Sequence, residues 1–215
     1  MTHYLLQEQK DKNRWSHPGN RPPSSGSDFT TTYVALRGLK TYATEEQTES
    51  VDSRIAAVRS WVLEFKPRDT EDRVFRFRSL SYIDAEKETV KKAATELIDS
   101  QHDDGGWAQT GDMSSDAYAT ATVLVALLRD GDVTPDHAAV QRGVQFLLDK
   151  QQDDGSWHVV TRAKGFQTYY ESGFPHGKDQ FISMAASSWA TIALLLTLPE
   201  STDAKTAGDA ETIDP

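Results

Sequence analysis

Apolar residues recur at helical spacing through most of the chain. In three segments, residues 51–66, 89–101 and 137–151, they fall at positions i, i+3 and i+4, which places them on one face of a helix. This spacing is that of an amphipathic helix rather than the alternation of a strand. The opposite faces are polar, so we expect these helices to form an outer layer.

A second set of segments is apolar on most faces. Each begins at an aspartate, and the first three aspartates lie 44 residues apart: Asp28, Asp72, Asp116 and, after a longer insertion, Asp179. A carboxylate at a helix start accepts hydrogen bonds from free backbone N–H groups and is favoured by the positive helix end. We therefore predict that each aspartate caps an inner helix. Together the two sets predict an all-α fold of about eight helices in inner/outer pairs.

A repeated template joins the two sets. One copy of the template reads Arg142-Gly143-x-x-Phe146-Leu147-x-x-x-Gln151-x-x-x-Gly155-x-Trp157. A second copy contains Gln101 and Trp107, and a third, degenerate copy contains Gln9 and Trp15. Gln precedes Trp by six residues in all three copies. We predict a structural role, in which the Gln amide bonds free backbone groups, glycine makes a tight turn and the indole braces neighbouring helices.

The template resembles the QW motif of squalene-hopene cyclases and related terpene cyclases. Gly173-Phe174-Pro175, followed by an apolar helix, also looks like the end of a squalene-hopene cyclase. The resemblance covers most of residues 1–198 and implies a partial α/α toroid with an isoprenoid-binding interior, similar to a C-terminal cyclase portion. Residues 199–215 are acidic with few large apolar side chains, which predicts a disordered tail.

The resemblance also implies where the chemistry would lie. In such cyclases an Asp-x-Asp-Asp-Thr-Ala motif leads into an apolar helix, and its middle Asp protonates an alkene. The corresponding stretch here runs from Asp116 to Ala121, and Tyr118 and Ala119 stand where that motif has its acidic pair. A phenol with a reference pKa of about 10 is a poor acid for an alkene. We therefore expect the usual initiation step to be absent.

Two sites remain as candidates for an acid or base. Asp116 keeps the first position of the motif, and the long connection 162–180 holds Glu171 and His176. Long connections in compact domains are often functional, and a carboxylate with an imidazole would make an acid/base pair. The alternative is that this connection covers the end of the helical barrel and leads into the cap at Asp179.

Aromatic residues are expected to face the interior of the ring. Those on predicted inner helices, together with two in the long connection, are Phe29, Tyr33, Tyr118, Phe181, Trp189, Tyr169 and Tyr170. They are candidates to line an isoprenoid pocket. Simple core packing is the other interpretation of the residues on the inner helices.

Composition narrows the class of partner. The formal net charge of −10 argues against nucleic acid binding. The chain has no Cys, so the Asp/Cys/His zinc site implied by the prenyltransferase branch of the superfamily is excluded, and the six His lack metal-ligand spacing. We predict no metal, no cofactor and no transmembrane segment. We expect a cytoplasmic protein, and peripheral association with a membrane surface is compatible with this expectation.

Three functions stay open from the sequence. The first is binding of an isoprenoid or similar apolar ligand without the usual class II cyclase chemistry. The second is an active terpene cyclase with a non-standard acid, and the third is a noncatalytic interaction scaffold. Four helix pairs are too few to close a toroid, so we also expect either a homo-oligomer or further helices upstream.

Overall fold

The computed structural model describes residues 2–7, 13–19, 21–165 and 169–199. Within these ranges the protein is helical, and its eight α-helices are α1 (Thr2–Gln7), α2 (Asp28–Tyr42), α3 (Thr48–Glu64), α4 (Thr70–Ser79), α5 (Lys87–Asp99), α6 (Ala117–Asp130), α7 (Ala138–Lys150) and α8 (Gln180–Leu195). The described residues contain no β-strand, only one isolated bridge between Trp107 and Asp116. The prediction of an all-α fold with about eight helices is confirmed. Gln9 and residues 200–215 lie outside the described residues.

The helices form two layers. Helices α2, α4, α6 and α8 contact one another in that order, and α1, α3, α5 and α7 pack against the outside of this row. The row is a partial α/α toroid of four inner/outer pairs. Helix α6 lies between α4 and α8, and every residue from Ala117 to Leu127 is buried. Its sequence of small and branched apolar residues suits a helix surrounded on all sides.

The inner helices run in the same direction. Near their starts, the Thr30 hydroxyl of α2 donates a 2.7 Å hydrogen bond to Glu71 of α4, and the Tyr118 hydroxyl of α6 donates to the same carboxyl at 3.0 Å. One turn further along, the rings of Tyr33 and Phe75 lie 5.4 Å apart. The first turns of three inner helices therefore meet at one end of the protein.

Each Trp of the repeat closes the same hydrogen bond. Its indole N–H donates to the backbone carbonyl of the leucine ten residues earlier, in the pairs Trp15–Leu5 (3.0 Å), Trp107–Leu97 (2.8 Å) and Trp157–Leu147 (2.7 Å). The backbone N–H of each Trp also donates to a hydroxyl of the following inner helix, on Thr32, Thr120 and Ser187. Each Trp thus links the end of an outer helix, through its indole, to the next inner helix, through its backbone N–H.

The glutamine and glycine complete the brace. The Gln101 amide donates to the carbonyls of Gly105 and Ala139, both at 2.8 Å, and so links the end of α5 to the start of α7. Among the described residues, Gln151 donates only to the Gly155 carbonyl of its own repeat. Gly105 and Gly155 have φ angles of 85° and 83°, the left-handed region that glycine adopts without a steric cost.

The predicted caps are partly wrong. All four repeat aspartates lie at the start of an inner helix, but only Asp116 caps it, accepting from the Ala119 N–H at 2.9 Å. Asp28 is the first residue of α2, and the cap there is Ser27. Asp72 is the third residue of α4, and its own N–H is capped by Asp69. The 44-residue spacing of the aspartates correctly locates the first turn of each inner helix. Whether an aspartate caps the helix depends on its exact position in that turn, because only some positions let the side chain reach the free N–H groups.

Asp72 and Asp179 have other partners instead. The buried Asp72 carboxylate accepts from the Ser27 hydroxyl at 2.7 Å and from Arg68, which ties the starts of α2 and α4 together. The Asp179 side chain makes no cap to α8. It accepts from the Thr161 N–H and contacts the His158 ring, both at 3.0 Å, and so anchors the segment that precedes the long connection.

Candidate functional site

A cavity of about 760 Å³ lies beside the inner helices. Its walls come from α2, α4, α6 and α8, and two connections, residues 21–25 and 161–165, border it. We call this space the inner cavity. It is open to solvent on one side, where Val34, Tyr170 and Phe181 are 60%, 68% and 58% exposed.

Most of the predicted aromatic residues meet at the inner cavity. Six of the seven line it, namely Tyr33, Tyr118, Tyr169, Tyr170, Phe181 and Trp189. Apolar side chains between them, such as Phe75, Ile182 and Ala185, complete the wall. The structure thus places these residues around one space, and two of them, Tyr33 and Tyr118, are also buried in the core.

Phe29 is the exception. Its ring is buried against Trp61 of α3, with the ring centroids 4.3 Å apart, and it lies 6.2 Å from Phe65. Phe29 packs against the aromatic residues at the end of α3, in the core between the two layers. Phe29 therefore packs as core and does not line the inner cavity.

Glu71 is a site residue that the sequence analysis missed. Its side chain is buried, yet it borders the inner cavity, and its two oxygens accept from Thr30 and Tyr118. The sequence signal is weak, because an acidic residue in the first turn of a helix is usually solvated there. Its burial depends on partners from two other helices.

The surroundings of this carboxyl weaken it as an acid. Burial raises the pKa of Glu71 to about 7, although the hydrogen bonds from Thr30 and Tyr118 act in the opposite direction. Burial and the neighbouring Glu71 also raise the pKa of the Tyr118 phenol well above 10. Both groups therefore hold their protons more tightly than in water.

The Glu71→Gln variant should change how stability depends on pH. The folded protein binds this proton more tightly than the unfolded chain does, where the pKa is near 4.5. The wild type should therefore lose about 3 kcal/mol of unfolding free energy between pH 4.5 and 7 that the variant does not lose. Urea unfolding of both proteins across this range measures the difference between their two pH dependences. Parallel curves would contradict a raised pKa.

Asp116 is held by its role as a cap. Its carboxylate accepts from the Ala119 N–H and from the Gln109 amide at 3.0 Å. Burial raises its pKa. Asp116 does not border the inner cavity, although it lies close to Tyr118, which does.

Glu171 and His176 are not brought together as a pair. Glu171 is exposed and accepts from the Tyr169 hydroxyl at 2.5 Å, which lowers the pKa of its carboxyl. The His176 ring lies 2.7 Å from the Ser156 hydroxyl and stacks on His158 at 4.8 Å. The connection turns these two side chains to different partners, so they do not form the predicted acid/base arrangement.

Arg78 is a second wall residue without a sequence signal. Its guanidinium is buried, forms a 2.8 Å ion pair with Asp130 and lies 4.6 Å from the centre of the Tyr33 ring. Aromatic faces attract a desolvated cation. Arg78 thus positions Tyr33 and places a neutralised ion pair beside the inner cavity.

Within the described residues, no three His, Asp or Glu side chains are grouped as metal ligands. None of the helices in the same ranges has the length and apolar character needed to cross a membrane.

Comparison with known proteins places this architecture in a family. The family model described as the squalene-hopene cyclase C-terminal domain matches residues 69–191, more than half of the chain. A relative named squalene--hopene cyclase, from Bradyrhizobium diazoefficiens (strain JCM 10833 / USDA 110), is 33% identical over 115 residues, which cover 45% of this chain and 16% of the relative. The chain thus corresponds to a small part of that cyclase's length. With the QW braces and the paired helices, the match shows that the chain belongs to the squalene-hopene cyclase C-terminal domain family.

Proposed function

We propose that the protein binds an isoprenoid or similar apolar ligand in the inner cavity, without the usual class II alkene protonation. The observation that carries this proposal is the set of six aromatic side chains around one open space. A volume of about 760 Å³ falls in the range of small-molecule sites. Each Å² of apolar surface that the ligand and wall bury together contributes about 25 cal/mol.

The second part of the proposal rests on Tyr118 and Glu71. Tyr118 occupies the position of the proton donor in the motif of the cyclases, and its hydroxyl donates to Glu71. The pKa values of both groups are raised, which makes proton donation to an alkene harder. An active cyclase is the second candidate, since a carboxyl does border the inner cavity. In that case Glu71 is the residue to test first.

Blocking the inner cavity tests ligand binding. Ala185→Trp adds a ring where a small side chain lines the wall, and it should weaken binding of squalene or shorter polyprenyl chains about tenfold or more, the equivalent of about 1.4 kcal/mol. Ser188→Trp is the matched control, because Ser188 is exposed on the same helix and does not line the cavity. Equal binding by the wild type and Ala185→Trp would contradict the proposed site.

Product analysis in the same samples separates the two candidates. Binding without a change in the ligand supports the proposal. A cyclised product that disappears in Glu71→Gln would establish the cyclase instead. The oligomer expected from the sequence stays a prediction, and the exposed Val34 and Phe181 are where a covering partner would pack.

A further inference from the structure

The charges around the inner cavity are opposite in sign to those of the whole chain. The sequence has 23 Lys and Arg against 33 Asp and Glu. The lining nevertheless holds five cationic residues, Arg21, Arg37, Arg78, Lys164 and Lys178, and one acidic residue, Glu71. An acidic protein that surrounds this cavity with cations has a local potential there that favours anions.

Three of these cations lie at one end of the inner cavity. Lys178 lies in the short turn Gly177–Asp179 that leads into α8, Lys164 lies in the segment that follows Thr161, and Arg21 lies in the segment that precedes α2. This is the end at which the inner helices begin, so the positive ends of their backbone dipoles add to the same potential. The hydroxyls of Ser24 and Ser25 also line this region and supply neutral hydrogen-bond donors.

The cations differ in whether they are already neutralised. Arg78 pairs with Asp130. In the described residues neither Lys164 nor Lys178 has a carboxylate within ion-pair distance, and both are exposed. Asp179 follows Lys178, but its carboxylate is engaged by Thr161 and His158. The two lysines are therefore available to an anionic ligand.

We propose that the ligand of the inner cavity is an amphiphile, whose apolar chain lies against the aromatic wall and whose phosphate or diphosphate head group is bound by Lys164 and Lys178. This inference rests on the proposed binding function and specifies the class of ligand. A hydrocarbon would gain nothing from the lysines. A head group with several negative charges would form charge-assisted hydrogen bonds with them, and these are about twice as strong as neutral ones.

A matched set of ligands tests the head group. Farnesol, farnesyl phosphate and farnesyl diphosphate share one chain and differ in charge, and palmitate offers a single carboxylate. By isothermal titration calorimetry, the wild type should bind the diphosphate at least about tenfold more tightly than the alcohol, since one charge-assisted bond is worth that much. The preference should shrink as salt is added, because both lysines are exposed.

Matched variants test the position. Lys164→Ser with Lys178→Ser should remove most of the preference for the diphosphate over farnesol. Lys87→Ser with Lys91→Ser makes the same charge change on the exposed surface of α5 and should keep the preference. All of these lysines are exposed, so neither variant should impair folding.

The outcomes separate this inference from the binding function. If farnesol and the diphosphate bind equally, the inference is wrong and the binding function stands. If no ligand binds, the proposed function itself is wrong. Palmitate binding as tightly as the diphosphate would overturn the multiply charged head group, and an unchanged preference in the Lys164/Lys178 variant would overturn its position.

Discussion

Replacing Trp107 with alanine should lower the free energy of unfolding by about 3–5 kcal/mol, the usual cost of removing a buried Trp side chain. The Trp107 ring is 1% exposed and contributes to the core between α5, α6 and α7. The variant also loses the 2.8 Å bond from the indole to the Leu97 carbonyl at the end of α5, and this carbonyl then keeps only its hydrogen bonds from Ser100. Urea unfolding followed by circular dichroism measures the loss.

Three related variants show what the loss means. Trp157→Ala removes the equivalent indole of the next repeat and should cost a similar amount. Trp107→Phe keeps most of the packing but not the N–H, so it should cost less than Trp107→Ala. Tyr42→Ala is the control, because Tyr42 is 63% exposed and should change stability little. If both Trp→Ala variants unfold at the urea concentration of the parent, the indoles do not brace the helices.

Arg78→Met should cost roughly 3 kcal/mol, although it replaces a charged residue by an apolar one in a buried wall. The substitution keeps the bulk of the side chain but leaves Asp130 without its 2.8 Å partner. Breaking one half of a buried ion pair is strongly destabilising, since the remaining charge is desolvated and unpaired. Burial already raises the pKa of Asp130, so at neutral pH the variant is expected to take up a proton there more readily.

Arg129→Met is the matched control for this effect. Arg129 is exposed and close enough to Asp130 to lower the pKa of that carboxyl, but it does not form the ion pair. It should change the unfolding free energy by less than about 0.5 kcal/mol, as expected of a surface position. Equal losses in the two variants would show that general charge, rather than the buried pair, sets the stability.

The helices could be predicted from the sequence because each depends mainly on its own pattern. The spacing of apolar residues located α3, α5 and α7 to within two or three residues of their ends. The Gln and Trp positions identified the braces, since the indole bonds and the bonds from Gln to the turn glycine connect residues of one repeat. Features that depend on residues close together in the sequence could therefore be predicted from the sequence.

The site was less predictable because it depends on contacts between helices. The orientation of Phe29 is set by Trp61, which lies on an outer helix. The pKa of Glu71 is set by burial between helices, with Tyr118 coming from 47 residues further along the chain. Glu171 and His176 were predicted as a pair from sequence proximity, yet the turns of the long connection direct them to Tyr169 and Ser156. No local pattern encodes these arrangements.

The indole hydrogen bonds connect residues that are close in sequence, which bears on how the number of helix pairs can change during evolution. Each Trp bonds a carbonyl only ten residues before it, so this bond needs no residue from beyond its own repeat. Insertion or deletion of one whole unit would leave the indole bonds of the other units intact, as in other proteins built from nearest-neighbour repeats. Rings with different numbers of helix pairs can therefore arise by duplication of a single pair, without changes to the indole hydrogen bonds of the other pairs.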